Sequence, residues 1–257
     1  MLRNFLITIA LFLPFICVYA AESKDKALLE QADFASVQRI INQNPESLRE
    51  TIRMFHKSKE DIGLKFTTLD RLFGIDYKKT EETIQFIKYT GNELSQGPIQ
   101  NTQTRYHFIQ QLFTDHPPRP TDIFYDLGSG YGRVLFYGAC LFPAIKFKGV
   151  ELIKERADAT KRVIRNAKFS NVQIINEDIL NVDFSDGSYF FLFNPFPDEV
   201  MNKVMDKFHI LAMKKKITLV ILGRTPVKKL VSLPWLTVVK SLGPDMSFVV
   251  FESKLSL

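Results

Sequence analysis

Beyond residue 120, short apolar runs alternate with segments whose apolar positions recur every three to four residues, the pattern of strands and helices taken in turn. Strands are predicted at 122–127, 146–151, 172–176, 188–194, 217–222, 235–241 and 246–252, with helices between most of them, notably at 131–142, 154–167 and 198–210. Such alternation points to a mostly parallel sheet covered on both faces. The last two strands, Leu236-Thr-Val-Val-Lys240 and Phe248-Val-Val-Phe251, are separated by a link around Gly243-Pro-Asp245 that is too short for a parallel crossover, so they are predicted to pair as an antiparallel hairpin. The expected fold is α/β: a doubly wound, seven-stranded, mostly parallel sheet with an antiparallel final hairpin.

Ahead of this region the period changes. Leu28, Leu29, Ala32, Val37, Ile40 and Ile41 recur at helical spacing, as do Leu48, Ile52 and Phe55, and no strand-like alternation intervenes between Lys24 and about Tyr89. Asn44-Pro45 and Gly63 punctuate the region, and Phe66-Thr-Thr-Leu-Asp-Arg-Leu-Phe73 runs into Gly74 as a helix reaching its C-cap glycine would. A small helical lobe is expected over residues 24–95, then a loop at 91–98, a helix at 104–113 and the breaker run His116-Pro-Pro-Arg-Pro120. The main domain is expected to span residues 100–257.

The first residues differ from everything after them. Arg3 precedes an apolar run from Phe5 to Val18, and Val18 and Ala20 supply small residues at minus three and minus one from a cleavage point. A signal peptide at 1–20 and an exported protein are expected; the alternative is an uncleaved anchor, for which the run is shorter than the ~20 apolar residues of a comfortable span. Only the anchor reading implies membrane contact. Cleavage would remove Cys17, one of two cysteines, leaving Cys140 with no disulfide partner in the mature chain and no metal-ligand cluster around it. It reads as a small buried apolar residue.

Composition narrows the classes further. With 46% hydrophobic and 24% charged residues the chain is neither disordered, collagen-like nor a multi-span membrane protein. A formal charge of +6 suits either a lysine-rich solvated surface or an acidic partner such as nucleic acid. Phe is unusually frequent at 23 residues.

The strongest chemical signal is Asp122-Ile-Phe-Tyr-Asp-Leu-Gly-Ser-Gly-Tyr-Gly-Arg-Val134, an apolar strand ending at Asp126 that turns through Gly128, Gly130 and Gly132 into a helix. A dinucleotide fingerprint requires Gly-x-Gly-x-x-Gly, but Arg133 occupies the third glycine position and the glycine arrives one residue early. The next strand ends in Glu151, 19 positions after Gly132, where a carboxylate can accept both ribose hydroxyls and repels a 2′-phosphate. The following strand is closed by Asp178-Ile179, and the one after it by Asn194-Pro195-Phe196. Three acids at the carboxyl ends of successive strands converge on the crevice where such sheets bind ligands. Asn194 has a second reading, as the cap of a helix starting near Pro195.

The acidic-Gly-x-Gly-x-Gly turn, with Glu151 and Asp178 after it, resembles the class I S-adenosylmethionine-dependent methyltransferases over roughly residues 100–252. That resemblance implies S-adenosyl-L-methionine as cofactor. The turn of Asp126, Gly128, Gly130 and Gly132 would close on its methionine half, Glu151 would take the ribose, Asp178 the adenine amino group and Ile179 the adenine ring. Asn194-Pro195-Phe196 resembles the [DNS]-P-P-[YFW] motif of amino-group methyltransferases but lacks one proline. In that motif the polar residue accepts from the target nitrogen and the aromatic packs on it, which implies catalytic roles for Asn194 and Phe196. The triplet also resembles the non-SET histone-lysine methyltransferases, in which an acidic loop over the cofactor would correspond to Gly91-Asn-Glu93. The expected activity is methyl transfer to a nitrogen of a protein side chain, lysine-like, or of another macromolecule. A small-molecule or nucleic-acid methyltransferase, or a non-catalytic module that binds the cofactor, are the alternatives. His107, His116 and His209 are candidate bases by type, without partners in the sequence to single them out.

Overall fold

The computed structural model describes residues 42, 44–57, 66–82, 84, 88–89, 92–93, 103–193, 196–223, 227, 230–242 and 248–254. The expected signal or anchor segment lies outside them, as do Asn194 and the side chain of Glu93. Among the described residues no helix is long and apolar enough to cross a membrane.

The chain enters through α1 (Pro45–Lys57), α2 (Phe66–Phe73) and α3 (Tyr77–Glu81), then a two-stranded antiparallel ladder of β1 (Lys88–Tyr89) and β2 (Asn92–Glu93), then α4 (Tyr106–Asp115). The helical period read across residues 24–95 did not predict the ladder, because two residues per strand leave no alternation to see. There follow β3 (Ile123–Leu127), α5 (Arg133–Leu141), β4 (Lys146–Glu151), α6 (Lys154–Asn166), β5 (Val172–Asn176), β6 (Tyr189–Phe193), α7 (Asp198–Ala212), β7 (Thr218–Leu222), β8 (Leu236–Ser241) and β9 (Phe248–Ser253).

Seven strands form one sheet in the order β5-β4-β3-β6-β7-β9-β8. The first five run parallel, and β9 is antiparallel to both β7 and β8. The expected hairpin is present, with its later strand on the inside and β8 at the edge. Parallel strands deep in such a sheet need apolar residues on both faces, which Tyr189-Phe-Phe-Leu-Phe193 and Thr218-Leu-Val-Ile-Leu222 supply. Edge strand β8 exposes Thr237, Val238 and Val239 and slips register between Val238 and Lys240, an irregularity that discourages pairing with another chain.

The abundance of Phe is explained by the packing of helices on this sheet. Phe124 on β3 lies 5.1 Å, ring centre to ring centre, from both Phe147 on β4 and Tyr189 on β6, and Phe113 of α4 packs over the same row. Aromatic rings in offset or edge contact fill such a layer and add to its apolar burial. Gly138 lets α5 come down onto this layer, since a Cβ there would overlap Phe147 and sit 2.8 Å from Cζ of Phe113. Leu48 and Ile52 of α1 and Leu69, Leu72 and Phe73 of α2 belong to the same buried cluster as Leu135 and Phe136 of α5. The early helices are therefore part of the wall behind the sheet's second and third strands. Cys140 is fully buried there, and burial pushes its thiol up to about 12.

From β3 the chain winds outward through β4 and β5, then crosses to β6 on the other side of β3. The carboxyl ends of β5, β4, β3 and β6 thus line one edge, with the change of direction between β3 and β6. A crevice opens at such a switch point, because successive connections leave it on opposite sides.

Candidate active site

At the tip of β3 the backbone turns through Gly128, Gly130 and Gly132, whose φ angles are +82°, +54° and +77°. Three left-handed residues within five explain why this turn requires glycine at alternate positions. The turn consumes residues through Gly132, so α5 starts at Arg133 and not at 131 as its apolar pattern suggested. The amides of Gly128 and Ser129 both donate to the Val150 carbonyl, at 2.9 Å, tying the turn to the neighbouring strand.

Glu151, at the end of β4, is 5% exposed and is held by two backbone amides. Gly130 N–H donates to its Oε2 and Ile153 N–H to its Oε1, each at 2.8 Å. Burial pushes the carboxyl up, while the two amides and the charge of Arg156 pull against it, and the net direction is upward. Asp126 is also buried, and burial together with the nearby Glu151 charge pushes its carboxyl up to about 8. The structure therefore brings Asp126, the glycine turn and Glu151 together as one unit.

Asp178 lies two residues past the end of β5 and half-exposed, with its Oδ1 accepting from Leu180 N–H at 2.9 Å, while Ile179 beside it is buried. Asn176, which the sequence pattern did not single out, donates through Nδ2 to the carbonyls of Glu151 and Leu152 at 2.9 and 3.0 Å and so locks the tips of β4 and β5 together. Lys207 on α7 donates to the Val182 carbonyl at 3.2 Å and lies over the Phe184 ring, pinning the loop that follows Ile179. Phe196 is partly buried against the apolar cluster on the α7 side of the sheet. Helix α7 begins at Asp198 with Pro197 at its cap and no side-chain cap. The cap reading of Asn194 is corrected by this start, which lies beyond the reach of an Asn194 cap position.

Two acids from the early helices also reach the site. Asp70 on α2 accepts from Arg133 Nε at 2.7 Å, pairs again with its Nη2, and accepts from Tyr106 O–H at 2.8 Å. Glu81 at the end of α3 accepts from Tyr131 O–H at 2.6 Å and, through both oxygens, from Arg156 at 2.8 and 3.0 Å. Sequence separations of 63 and 75 residues put these pairs beyond any local pattern. The one visible clue was Arg133 itself, a charge where a dinucleotide turn has glycine.

Three features of the turn fit an adenosyl ligand. A Cβ built on Gly130 meets nothing within 4 Å among the described residues, so none of them blocks the space beside the turn. Ser129 Oγ is buried without a hydrogen-bond partner among the described residues. Two acidic side chains at the tips of adjacent strands supply acceptors for hydroxyls and a counter-charge for a cation, and the order β5-β4-β3-β6-β7-β9-β8 carries them on seven strands with an inserted antiparallel β9. The family model for histone methylation protein DOT1 matches residues 101–211, a stretch that begins ahead of the turn and ends within α7. The fold is that of the class I S-adenosylmethionine-dependent methyltransferases.

Among solved structures, an RNA methyltransferase from Salinibacter ruber in complex with S-adenosyl-L-homocysteine is 16% identical to this chain, over 58% of this chain and 91% of its own, with a TM-score of 0.42. PKMT2 from Rickettsia typhi in complex with AdoHcy is 25% identical over 48% of this chain, with a TM-score of 0.36, and the match spans only 25% of that larger chain. Magnesium protoporphyrin IX methyltransferase from Synechocystis PCC 6803 with bound SAM is 11% identical, over 59% of this chain and 77% of its own, with a TM-score of 0.43. No curated protein matches the sequence.

Proposed function

We propose that this methyltransferase acts on a nitrogen of a protein side chain, lysine-like in its chemistry. The observation that carries the reading is the histone-methylation family match, which takes in the cofactor turn and the Asn194-Pro195-Phe196 triplet. When bound, S-adenosylmethionine supplies a methyl group on a sulfonium, already activated for attack. What remains for the protein is to orient the acceptor lone pair and keep water away. Glu151 would hold the ribose through lone pairs left by its two amide donors, Asp178 and Ile179 the adenine, and Gly128 to Gly132 the methionine half. Asn194 would accept from the acceptor nitrogen, with Phe196 packing beside it.

Labelled methyl transfer from S-adenosylmethionine into fractionated lysate tests the acceptor class. Label is expected in protease-sensitive material, and label lost only to nuclease would overturn the protein reading. Asn194→Ala is expected to leave cofactor affinity nearly intact and lower turnover by about a hundredfold, as misplacement of a reacting atom does. Equal loss of affinity and thermal stability would instead mark Asn194 as a structural residue.

The export reading of the N-terminus also stands as a proposal, supported by Arg3, the apolar run and the small residues Val18 and Ala20. The intact mass of the processed protein is expected to correspond to a chain beginning at Ala21. A protein that keeps Met1 and sediments with membranes would refute it.

A further inference from the structure

Arg156 stands between two acids. It lies on the first turn of α6, three residues after Ile153, whose amide holds Glu151 Oε1. Its guanidinium is engaged through two nitrogens by Glu81, and its charge also acts on Glu151. A planar guanidinium readily takes a carboxylate in a two-pronged grip, and Glu151 is a second carboxylate whose charge acts on Arg156, so an Arg156 released from Glu81 would be drawn toward it. Glu151 engaged that way would lose the lone pairs a ribose needs. Glu81 also accepts from Tyr131, the residue after Gly130, whose amide holds Glu151 Oε2. One carboxylate outside the sheet therefore controls a neighbour of each amide that orients Glu151.

Its surroundings fit the task. Only 22% of the Glu81 side chain is exposed, against 8% for Arg156, so the pair is shielded more than a surface ion pair. Burial pushes the Glu81 carboxyl up, but the hydrogen bonds from Arg156 and Tyr131 outweigh it and hold the acid below its ordinary value, ionised at neutral pH.

We infer that Glu81 is a positioning residue for cofactor binding, which keeps Arg156 off Glu151 and fixes the Tyr131 side of the turn, leaving Glu151 open to ribose hydroxyls. The ribose part rests on the proposed methyltransferase activity; the control of Glu151 does not.

The test compares wild type, Glu81→Gln, and Glu81→Gln combined with Arg156→Met, by calorimetric titration with S-adenosylhomocysteine and by amide exchange of residues 128–132 in the ligand-free chain. Glu81→Gln is expected to weaken binding about tenfold, the scale of a lost charge-assisted contact, and to speed exchange in the turn. The double variant should recover most of the affinity, because the competing guanidinium is gone. A purely structural pin predicts the reverse: the double variant binds no better than the single one, and both lose thermal stability in parallel. That result, or unchanged affinity in Glu81→Gln, overturns the inference. Should wild type fail to bind the nucleoside while exchange at 128–132 still responds to Glu81→Gln, the cofactor reading falls and the control of the turn stands. No response in either measurement removes both.

Discussion

Gly130→Ala is expected to leave the protein folded and to weaken binding of S-adenosylhomocysteine by a hundredfold or more, about 2.7 kcal/mol. Gly130 has φ +54°, and a Cβ there meets no atom of the described residues within 4 Å. Placing a side chain in that conformation costs about 1–2 kcal/mol of backbone strain, which for a domain of this size lowers the thermal midpoint by a few degrees. The larger effect is on the ligand, since the added methyl enters the space that the turn borders. Gly132→Ala provides the contrast. There a Cβ would lie 3.0 Å from Thr160 Cγ2 and 3.1 Å from Phe136 Cε2, so the damage should fall on the fold. Calorimetry and thermal melts on the two variants separate these outcomes, and wild-type affinity in Gly130→Ala would count against the turn as the cofactor site.

Asp126→Asn should stabilise the ligand-free protein at pH 8 while weakening its cofactor binding about tenfold. The carboxyl of Asp126 is pushed up to about 8 by burial and by the charge of Glu151. In the unfolded chain its value is about 4. Between those two values the folded state keeps a proton that the unfolded state releases, so stability is full below about pH 4 and declines as pH rises through about 8. The upward shift at Glu151 acts in the same direction. Asparagine removes the Asp126 part of this decline, and the melting temperature should become less sensitive to pH between 5 and 8.5 and rise by several degrees at the upper end, on a scale of about 2–4 °C per kcal/mol. A cation bound beside Asp126 favours its ionised form, so wild-type affinity for S-adenosylmethionine should improve with rising pH across this range, and the variant should lose that dependence. Identical pH profiles for the two proteins would refute this assignment of the shifted group. Natural sites often carry such a conflict between stability and binding.

How much of this was legible in the sequence depends on the range of the interaction. Strands β3, β6 and β7 declared themselves because buried parallel strands are apolar at almost every position, as in Tyr189 to Phe193. The turn was legible because left-handed backbone confines Gly128, Gly130 and Gly132 to glycine. Glu151 followed from its place at the end of the next strand. The insertion of β9 beside β7 left no local trace, since an apolar run pairs equally well with either neighbour. Asp70 and Glu81 were invisible for a related reason: a charged residue on a short helix looks solvated until the fold brings Arg133 and Arg156 to it. Asn176 was hidden by its commonness near strand ends. The start of α7 at residue 198 was legible in its apolar period, and Pro197 at the cap position excludes the second reading of Asn194 as the cap of a helix starting near Pro195.

The position of β9 has a consequence for biosynthesis. Four of its six residues, 249–252, are paired on both sides, yet they are among the last described residues to leave the ribosome. Until they emerge, the nascent chain presents the bare edge of β7, five residues that end up wholly buried, beside an unfinished hydrophobic layer. An unpaired apolar strand edge is a template for aggregation. The nascent polypeptide is therefore vulnerable until β9 has emerged, and a chain cut before Phe248 should be trapped as insoluble material more readily than one lacking its early helices.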